Sequence, residues 1–391
     1  MRQALATGLI LFAGAAAAQD APCGGDFGAF KQGLVSEAGA HNLSAQTAER
    51  FLAGVSRSDA VLAADRRQGI FQSPFIEFSR KLISADRIER GRAKAVEYAG
   101  VFDRIEAEYG VPRWVLLAFW AFETDYGSFQ GDFNTADALV TLAHDCRRPE
   151  LFRPQVFAAM ELFARGDFDP ATTTGAWAGE IGMVQMLPED IIENGIDGDG
   201  DGHVSLKTSA PDALMSGGKM LSSLGWQANQ PWLEEVTLPG DFDWSLTGLE
   251  TERTASDWAA LGVSPRDGAF EAEDLPASVL LPQGKGGPAF LAYPNFRVFF
   301  EWNQSFTYVL TAAYFATRLD GAEIYRAGKP APGLSDAQMK ELQQKLAARG
   351  HDVGEIDGIL GAGTRAAVRA VQAELGLPVD AWPTPELLGR L

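Results

Sequence analysis

The stretch WVLLAFWAFETDYG, residues 114–127, decides the fold, because an unbroken apolar run from Trp114 to Phe122 ends in a single carboxyl group. Such a run must be buried, and the polar, turn-forming residues TDYG mark its end. Glu123 therefore lies at the edge of a core, where loss of solvation raises the pKa of a carboxyl group. A carboxylic acid of this kind suits general acid catalysis, although a Glu at a helix end can also simply point into water.

The rest of the chain is organised around this helical region. With 391 residues and 46% hydrophobic content, the chain can bury a large core and is expected to form more than one domain. Apolar residues at three- and four-residue spacing predict a mainly helical segment over 26–238. Short apolar segments among Gly and Pro predict a strand-rich insertion at 239–294, and a long amphipathic helix is expected over 303–319.

A second, smaller domain is predicted at the C-terminus. Residues 326–333 combine Gly, Pro and small residues without periodicity, which is typical of a linker. Residues 334–391 contain three short helical patterns separated by Gly-containing turns. We therefore divide the chain into a catalytic domain, residues 19–325, and a three-helix domain, residues 334–391.

The N-terminus has the pattern of a cleaved secretory signal, residues 1–18. Arg2 gives a short positive region, an apolar stretch follows, and the small residues GAAAA precede Gln19. The apolar stretch is too short to span a bilayer. Because Cys23 follows DAP rather than an apolar triplet, we expect a soluble periplasmic product and no lipoprotein.

The chain has two cysteines, Cys23 and Cys146. In an oxidising compartment an even pair favours a disulfide, and this one would tie the mature N-terminus to the catalytic region. The alternative is two unrelated buried thiols.

The formal net charge of −19 makes nucleic acid a poor partner, because such a surface repels phosphate backbones. An acidic substrate would have to be held by local basic residues, and Arg147 and Arg148 are candidates. No His/Cys cluster indicates zinc. No organic cofactor is expected.

The loop DGDGDGH, residues 197–203, follows the calcium pattern of an EF-hand. Carboxylates spaced by two can converge on one ion, and Gly202 supplies the sharp turn. The twelfth position is Thr208 rather than Glu, so a closing carboxylate could come from Asp212. The alternative is a solvated Asp/Gly turn. The predicted calcium ligands are Asp197, Asp199, Asp201, the backbone carbonyl of His203, and Asp212.

Together these features resemble the membrane-bound lytic murein transglycosylase B family, over almost the whole mature chain. The carriers of the resemblance are FDRIEAEYGVP (102–112), AFETDYG (121–127), RRPELF (147–152), GAWAGEIGMVQMLP (175–188), DGDGDGH (197–203) and NFRVFFEWNQSFTYVL (295–310). The resemblance implies a mainly α, lysozyme-like catalytic core with Glu123 as the acid. The implied reaction cleaves peptidoglycan between N-acetylmuramic acid and N-acetylglucosamine and leaves a 1,6-anhydromuramoyl end.

The resemblance also implies substrate-binding residues. Gln185, Asn303 and Tyr308 match positions that bind sugars, while Arg147 and Arg148 match paired arginines suited to carboxylates. Trp302 and Phe78 stand where the family has Tyr, so aromatic faces are kept but hydroxyl groups are lost. Two further departures are Ala176 for a Ser and Met220 for a Tyr. Asp125 and Glu180 are treated as structural.

The C-terminal segment resembles the type-1 peptidoglycan-binding domain through LQQKL, IDGILGAGT, AAVRAVQ and GLPVD. Such a domain would concentrate the enzyme on an insoluble substrate. The implied partner is the glycan strand, with cell-wall synthesis or division proteins as further candidates, and a monomer is expected. Two alternatives stay open: a hydrolytic muramidase, and a peptidoglycan-binding scaffold with weak catalysis.

Overall fold

The computed structural model describes residues 22–66 and 73–391, so the predicted signal segment 1–18 lies outside the described residues. The mainly helical prediction is confirmed. No helix within the described ranges is long and apolar enough to cross a membrane.

Eleven helices of the described chain precede the strand-rich region. They are α1 (Phe27–Glu37), α2 (Ala45–Leu52), α3 (Asp59–Asp65), α4 (Phe75–Leu82), α5 (Ala85–Glu97), α6 (Ala99–Tyr109), α7 (Arg113–Thr124), α8 (Thr135–His144), α9 (Pro149–Arg165), α10 (Pro188–Asn194) and α11 (Ala210–Ser223). Two short strands, β1 (Phe133–Asn134) and β2 (Thr174–Gly175), pair antiparallel beside α8.

Helix α7 is the centre of the main core. Every residue over 115–121 is buried, as the apolar run predicts. The helix ends because Asp125 and Tyr126 adopt left-handed backbone conformations, with φ of 52° and 60°. Asp125 is held there by Arg87 Nε at 3.1 Å and Arg90 Nη2 at 2.7 Å. Glu123 is therefore fixed at the C-terminal end of a buried helix.

The strand-rich region forms a five-stranded antiparallel sheet with its own core around Trp258, Val279 and Leu291. Its strands, in the spatial order β4-β6-β7-β3-β5, are β3 (Leu233–Thr237), β4 (Arg253–Thr254), β5 (Ser264–Pro265), β6 (Pro276–Leu280) and β7 (Ala289–Ala292). A short helix, α12 (Ala255–Ala260), follows β4. The sheet begins at β3, before the predicted boundary at residue 239. This strand was not predicted because its two glutamates obscure the alternation of apolar and polar residues.

The helix predicted over 303–319 is observed as the second of two, α13 (Pro294–Trp302) and α14 (Phe306–Asp320). The chain breaks between them because Asn303 is extended and Ser305 caps α14 through the backbone N–H of Tyr308. This break turns Trp302 and Tyr308 toward the end of α7.

The C-terminal segment forms the three predicted helices, α15 (Asp336–Ala348), α16 (Ala362–Glu374) and α17 (Pro385–Arg390), around a separate core. It contacts the sheet region through Asp380, whose Oδ2 accepts from Lys285 N–H at 2.8 Å, and through Trp382, whose Nε1 also donates to the Ala331 carbonyl of the linker at 2.9 Å. Gly284 has φ of +67°, and a Cβ there would lie 2.4 Å from that Trp. The docking therefore depends on a close approach that a larger residue would block.

Cys23 and Cys146 form the predicted disulfide, with their Cα atoms 5.3 Å apart. The bond spans 123 positions and fastens the chain before α1 to the loop between α8 and α9. Gly24 N–H also donates to the His144 carbonyl at 2.8 Å. The N-terminal segment is thus part of the catalytic domain.

Candidate active site

The carboxyl group of Glu123 is held by two donors from α13 and α14. Tyr308 O–H and Trp302 Nε1–H both donate to Oε1, the latter at 3.0 Å. The indole stacks on Phe119 of α7, with ring centroids 4.3 Å apart. Because both hydrogen bonds fall on Oε1, the remaining oxygen, Oε2, is the one suited to carry the acidic proton.

The surroundings favour the protonated form of this carboxyl. Burial raises the pKa of Glu123 to about 7, the hydrogen bonds from Tyr308 and Trp302 lower it, and the charge of Glu180 raises it. Burial also raises the pKa of Tyr308 well above 10, so its phenol stays a donor. Glu123 can thus give up a proton near neutral pH and recover it.

Glu180 is a second carboxyl group near the acid. It lies in the turn after β2, where Ala176 N–H donates to its carbonyl at 3.0 Å. Burial raises the pKa of Glu180, and its Oε2 is buried without a hydrogen-bond partner among the described residues. Glu180 was predicted to be structural, and no local pattern in the sequence shows that this turn folds near Glu123.

Asp125, the other neighbouring carboxyl group, is committed elsewhere. Its Oδ1 accepts from Arg87 and Arg90, and the hydrogen bond with Arg90 is the main cause that lowers the pKa of Asp125. A carboxylate engaged in this way serves the end of α7 rather than the cleft.

The turn that carries Gln185 is fastened to the end of α7. Thr124 Oγ1, next to the acid, donates to the Met183 carbonyl at 2.6 Å. Gln185 has a left-handed φ of 55°, and its Nε2 donates to the Gly182 carbonyl at 2.7 Å. A non-glycine residue in this conformation is strained, which is frequent at functional sites.

The other predicted sugar-binding residues differ in their exposure. Asn303 is half-buried in the break before α14, and its Oδ1 accepts from Ser305 N–H at 2.9 Å. Phe78 lies in α4 with 7% of its surface exposed, so little of its ring is open to a ligand. Ala176 and Met220 are both partly buried.

Arg147 and Arg148 share one acidic partner, Asp65, which is 1% exposed. Arg148 Nη2 lies 2.5 Å from Asp65 Oδ1, and Arg147 Nη1 lies 3.3 Å from Oδ2. The positive charge of Arg148 also lowers the pKa of Glu180, against the larger upward effect of burial. Asp65 could not be predicted as the partner of the arginine pair, because no pattern near Asp65 in the sequence indicates that contact.

The acidic loop brings together part of the predicted calcium set. Carboxylate oxygens of Asp197, Asp199 and Asp212 lie within 4.8 Å of one another. Asp201 is outside this group and accepts from His203 N–H at 2.9 Å, while the His203 ring pairs with Asp167.

Asp212 closes the cluster from α11. It is fully buried, and its oxygens accept from Gly198 N–H at 2.9 Å and Ser205 N–H at 2.7 Å. It forms no ion pair with a basic side chain in the described chain. Hard oxygen donors with uncompensated negative charge fit a calcium ion.

The fold and this site define a lysozyme-like enzyme with one acid at the end of a buried helix. A comparison with protein-family models matches the transglycosylase SLT domain over residues 26–317 and a peptidoglycan binding domain over residues 335–391. The chain belongs to the transglycosylase SLT domain family and is a lytic transglycosylase.

Known relatives agree with this assignment. The chain is 26% identical over 281 residues to membrane-bound lytic murein transglycosylase B of Escherichia coli, covering 69% of this chain and 76% of that protein. It is 38% identical to SltB3 of Pseudomonas aeruginosa, solved with NAG-anhNAM-pentapeptide, with a TM-score of 0.86 and coverage of 94% and 99%. Slt35 of E. coli, solved with calcium, is 25% identical, with a TM-score of 0.64 and coverage of 77% and 96%.

Proposed function

We propose that the protein cleaves the β-1,4 bond between N-acetylmuramic acid and N-acetylglucosamine in peptidoglycan and leaves a 1,6-anhydromuramoyl end. The observation that carries the proposal is the Glu123 carboxyl group, fixed through Oε1 by Tyr308 and Trp302 with a pKa raised to about 7. An acid that must donate a proton and then accept one works best with a pKa near the working pH.

The reaction has two proton transfers at the same carboxyl group. Glu123 first protonates the glycosidic oxygen, and the bond from that oxygen to the anomeric carbon of the muramoyl sugar breaks. The 6-hydroxyl oxygen of the same sugar then bonds to this carbon, assisted by the N-acetyl group, and its proton returns to Glu123. No water is consumed, because the nucleophile is already held at high effective concentration.

The hydrogen-bond donors to Glu123 stabilise its carboxylate form, which arises after the first proton transfer. When the carboxylate forms, Tyr308 and Trp302 supply charge-assisted hydrogen bonds to it. Asp125 is paired with two arginines, and Glu180 has its Oε2 buried. An inverting hydrolase requires a second carboxylate that is free to activate water, and the ion pairs of Asp125 and the burial of Glu180 disfavour that role.

The substrate-binding roles of the neighbouring residues are part of the proposal. Gln185 and Asn303 offer amides for hydroxyl and N-acetyl groups, and Trp302 offers an aromatic edge. Arg147 and Arg148 keep N–H groups beyond those bound to Asp65, which suit a carboxylate of the muramoyl unit. Phe78 is proposed as a substrate-binding residue from the family resemblance alone, and its burial leaves little of its ring for a ligand.

We assign calcium to the acidic loop. Asp197, Asp199 and Asp212 would hold the ion, with Asp201 and the His203 carbonyl joining by a small movement of the exposed loop. The ion would neutralise the buried carboxylate of α11 and so have a structural role. Slt35, whose structure contains calcium, supports this assignment.

We further propose that the C-terminal domain binds peptidoglycan and raises the local enzyme concentration on the insoluble wall. This function places the protein in the periplasm, where the cysteine pair can be oxidised. Glycan strands are its proposed partner, and it would act as a monomer.

The test is mass spectrometry of products released from purified peptidoglycan by the mature protein and by a Glu123→Gln variant. We expect anhydromuramoyl ends, reduced about 10²- to 10⁴-fold in the variant because it lacks the acid. Reducing ends would instead identify a hydrolytic muramidase. Wall binding without products from either protein would identify a scaffold.

A further inference from the structure

A large cavity lies outside the site around Glu123, where the C-terminal domain meets the catalytic domain and the sheet region. Its volume is about 510 Å³, within the range of small-ligand sites. Phe300 and Phe306 line it from the catalytic domain, Leu281 from the sheet region, and Leu360 and Trp382 from the C-terminal domain. One wall, residues 304–307, connects the two residues that hold the catalytic acid.

Two arginines of α16 line this cavity. Arg365 stacks over the Phe306 ring at 4.6 Å, and its Nη2 donates to the Pro282 carbonyl at 3.3 Å. Its Nε is buried without a hydrogen-bond partner among the described residues. Arg369 Nη2 donates to Thr247 Oγ1 at 3.2 Å.

Neither arginine has a carboxylate partner in the described chain. Burial, followed by the like charge of Arg369, lowers the pKa of Arg365 to about 10. The nearby carboxylate of Asp380 accepts instead from the backbone N–H groups of Lys285 and Trp382. Both arginines are half-buried. A partly desolvated positive charge without an ion-pair partner is costly, and an anionic ligand would offset that cost.

The acidic residues on the cavity wall do not neutralise the two arginines. Asp336 pairs with Lys340 at 3.3 Å, and Glu250 is exposed. Neither forms an ion pair with Arg365 or Arg369 in the described residues. The part of the cavity beside α16 is therefore positive, although the protein as a whole carries a net charge of −19.

We propose that this cavity binds an acidic peptide, namely the carboxylate-bearing stem peptide of peptidoglycan, between the catalytic and C-terminal domains. The inference rests on the proposed function. Guanidinium groups match carboxylates in geometry, whereas N-acetylglucosamine carries no charge. The apolar wall suits the small side chains of a peptide. Because segment 304–307 lies between Trp302 and Tyr308 and also lines the cavity, a peptide on a neighbouring muramoyl unit would reach the cavity while the glycan occupies the cleft.

The test is titration calorimetry with the full mature chain and two probes: the synthetic stem pentapeptide, and the same peptide with its carboxylates converted to amides. We expect the first to bind and the second to bind at least tenfold more weakly. Arg365→Gln should weaken binding of the first about 10- to 100-fold, because a charge-assisted contact is lost. Arg349→Gln is the matched control, since Arg349 belongs to the same domain, does not line the cavity and pairs with Glu374.

A second variant keeps the test decisive if Arg365→Gln unfolds. Ala366 is an exposed residue of α16 that lines the cavity, so Ala366→Leu narrows the cavity without removing charge. Ala370→Leu makes the same change one turn further along, outside the cavity. Equal peptide affinity in Ala366→Leu and Ala370→Leu would overturn the proposal.

Cleavage of peptide-free glycan by the wild-type protein is measured in parallel. If that protein cleaves glycan but does not bind the pentapeptide, the cavity proposal is wrong and the proposed function stands. If it neither cleaves glycan nor yields anhydromuramoyl ends, the proposed function itself is wrong.

Discussion

Removing the Tyr308 hydroxyl should shift the pH range in which the enzyme works. That hydroxyl donates to Oε1 of Glu123 and lowers the pKa of the carboxyl group from the value that burial alone would give. A hydrogen bond to a charged group contributes about 1.5–3 kcal/mol, which corresponds to about 1–2 pKa units. Tyr308→Phe should therefore raise the pKa of Glu123 above its value of about 7.

The sign of the effect follows from the role of the acid. In the proposed mechanism Glu123 starts each turnover protonated, so activity should be present below its pKa and fall as pH rises through it. In the wild type the alkaline limb of kcat/KM should have its midpoint near pH 7, and in Tyr308→Phe it should move upward. The maximal rate should also fall, because the carboxylate formed during the reaction loses a donor.

The assay is the pH dependence of kcat/KM on soluble glycan fragments, measured from pH 5 to 10. Tyr314→Phe is the matched control, because Tyr314 is a buried tyrosine of the same helix whose hydroxyl accepts from Tyr325 N–H at 3.0 Å. That variant should keep the wild-type limb. An alkaline limb that stays in place or moves downward in Tyr308→Phe would refute the reasoning.

Three other perturbations test separate parts of the structure. Glu180→Gln should move the alkaline limb of kcat/KM to lower pH, because the charge of Glu180 raises the pKa of Glu123. This shift should be smaller than that of Tyr308→Phe, since Glu180 has the smallest influence on that pKa. An upward shift in the pH profile would contradict this prediction. Calcium should raise the Tm of the wild type in calorimetric scans. Asp199→Ala should lose more of this increase than Asp201→Ala, because Asp199 belongs to the observed cluster and Asp201 does not. Equal losses in the two variants would contradict this assignment. Replacing both cysteines by serine should lower the free energy of unfolding by about 3–5 kcal/mol in denaturant titrations, and no change would show that the N-terminal segment adds little.

Features that depend on neighbouring residues could be predicted from the sequence. The apolar run before Glu123 predicts both its helix and the position of the acid at the edge of the core, and the structure has both. The even cysteine count predicts the disulfide. The Asp/Gly spacing predicts a loop of converging carboxylates, of which Asp197 and Asp199 are observed in one cluster.

Features that depend on contacts distant in the chain could not be predicted. Asp65 meets the arginine pair across 83 positions, and no local pattern marks it. The break at Asn303 depends on an extended residue and a Ser305 cap in the short polar segment 303–305, and periodicity alone does not show where one helix ends and the next begins. The strand β3 was not predicted because its two glutamates obscure the strand pattern, and the strands with which it pairs, β5 and β7, both come later in the chain.

The donors that hold Glu123 have a consequence for when the enzyme becomes active. Trp302 and Tyr308 stand 179 and 185 positions after the acid, so the carboxyl group acquires both partners only after most of the chain has been synthesised and folded. A chain that has emerged only as far as α11 would present Glu123 without either donor. If Glu123 is the acid that we propose, catalytic competence is a late event of maturation, and unfinished chains lack the assembled carboxyl site.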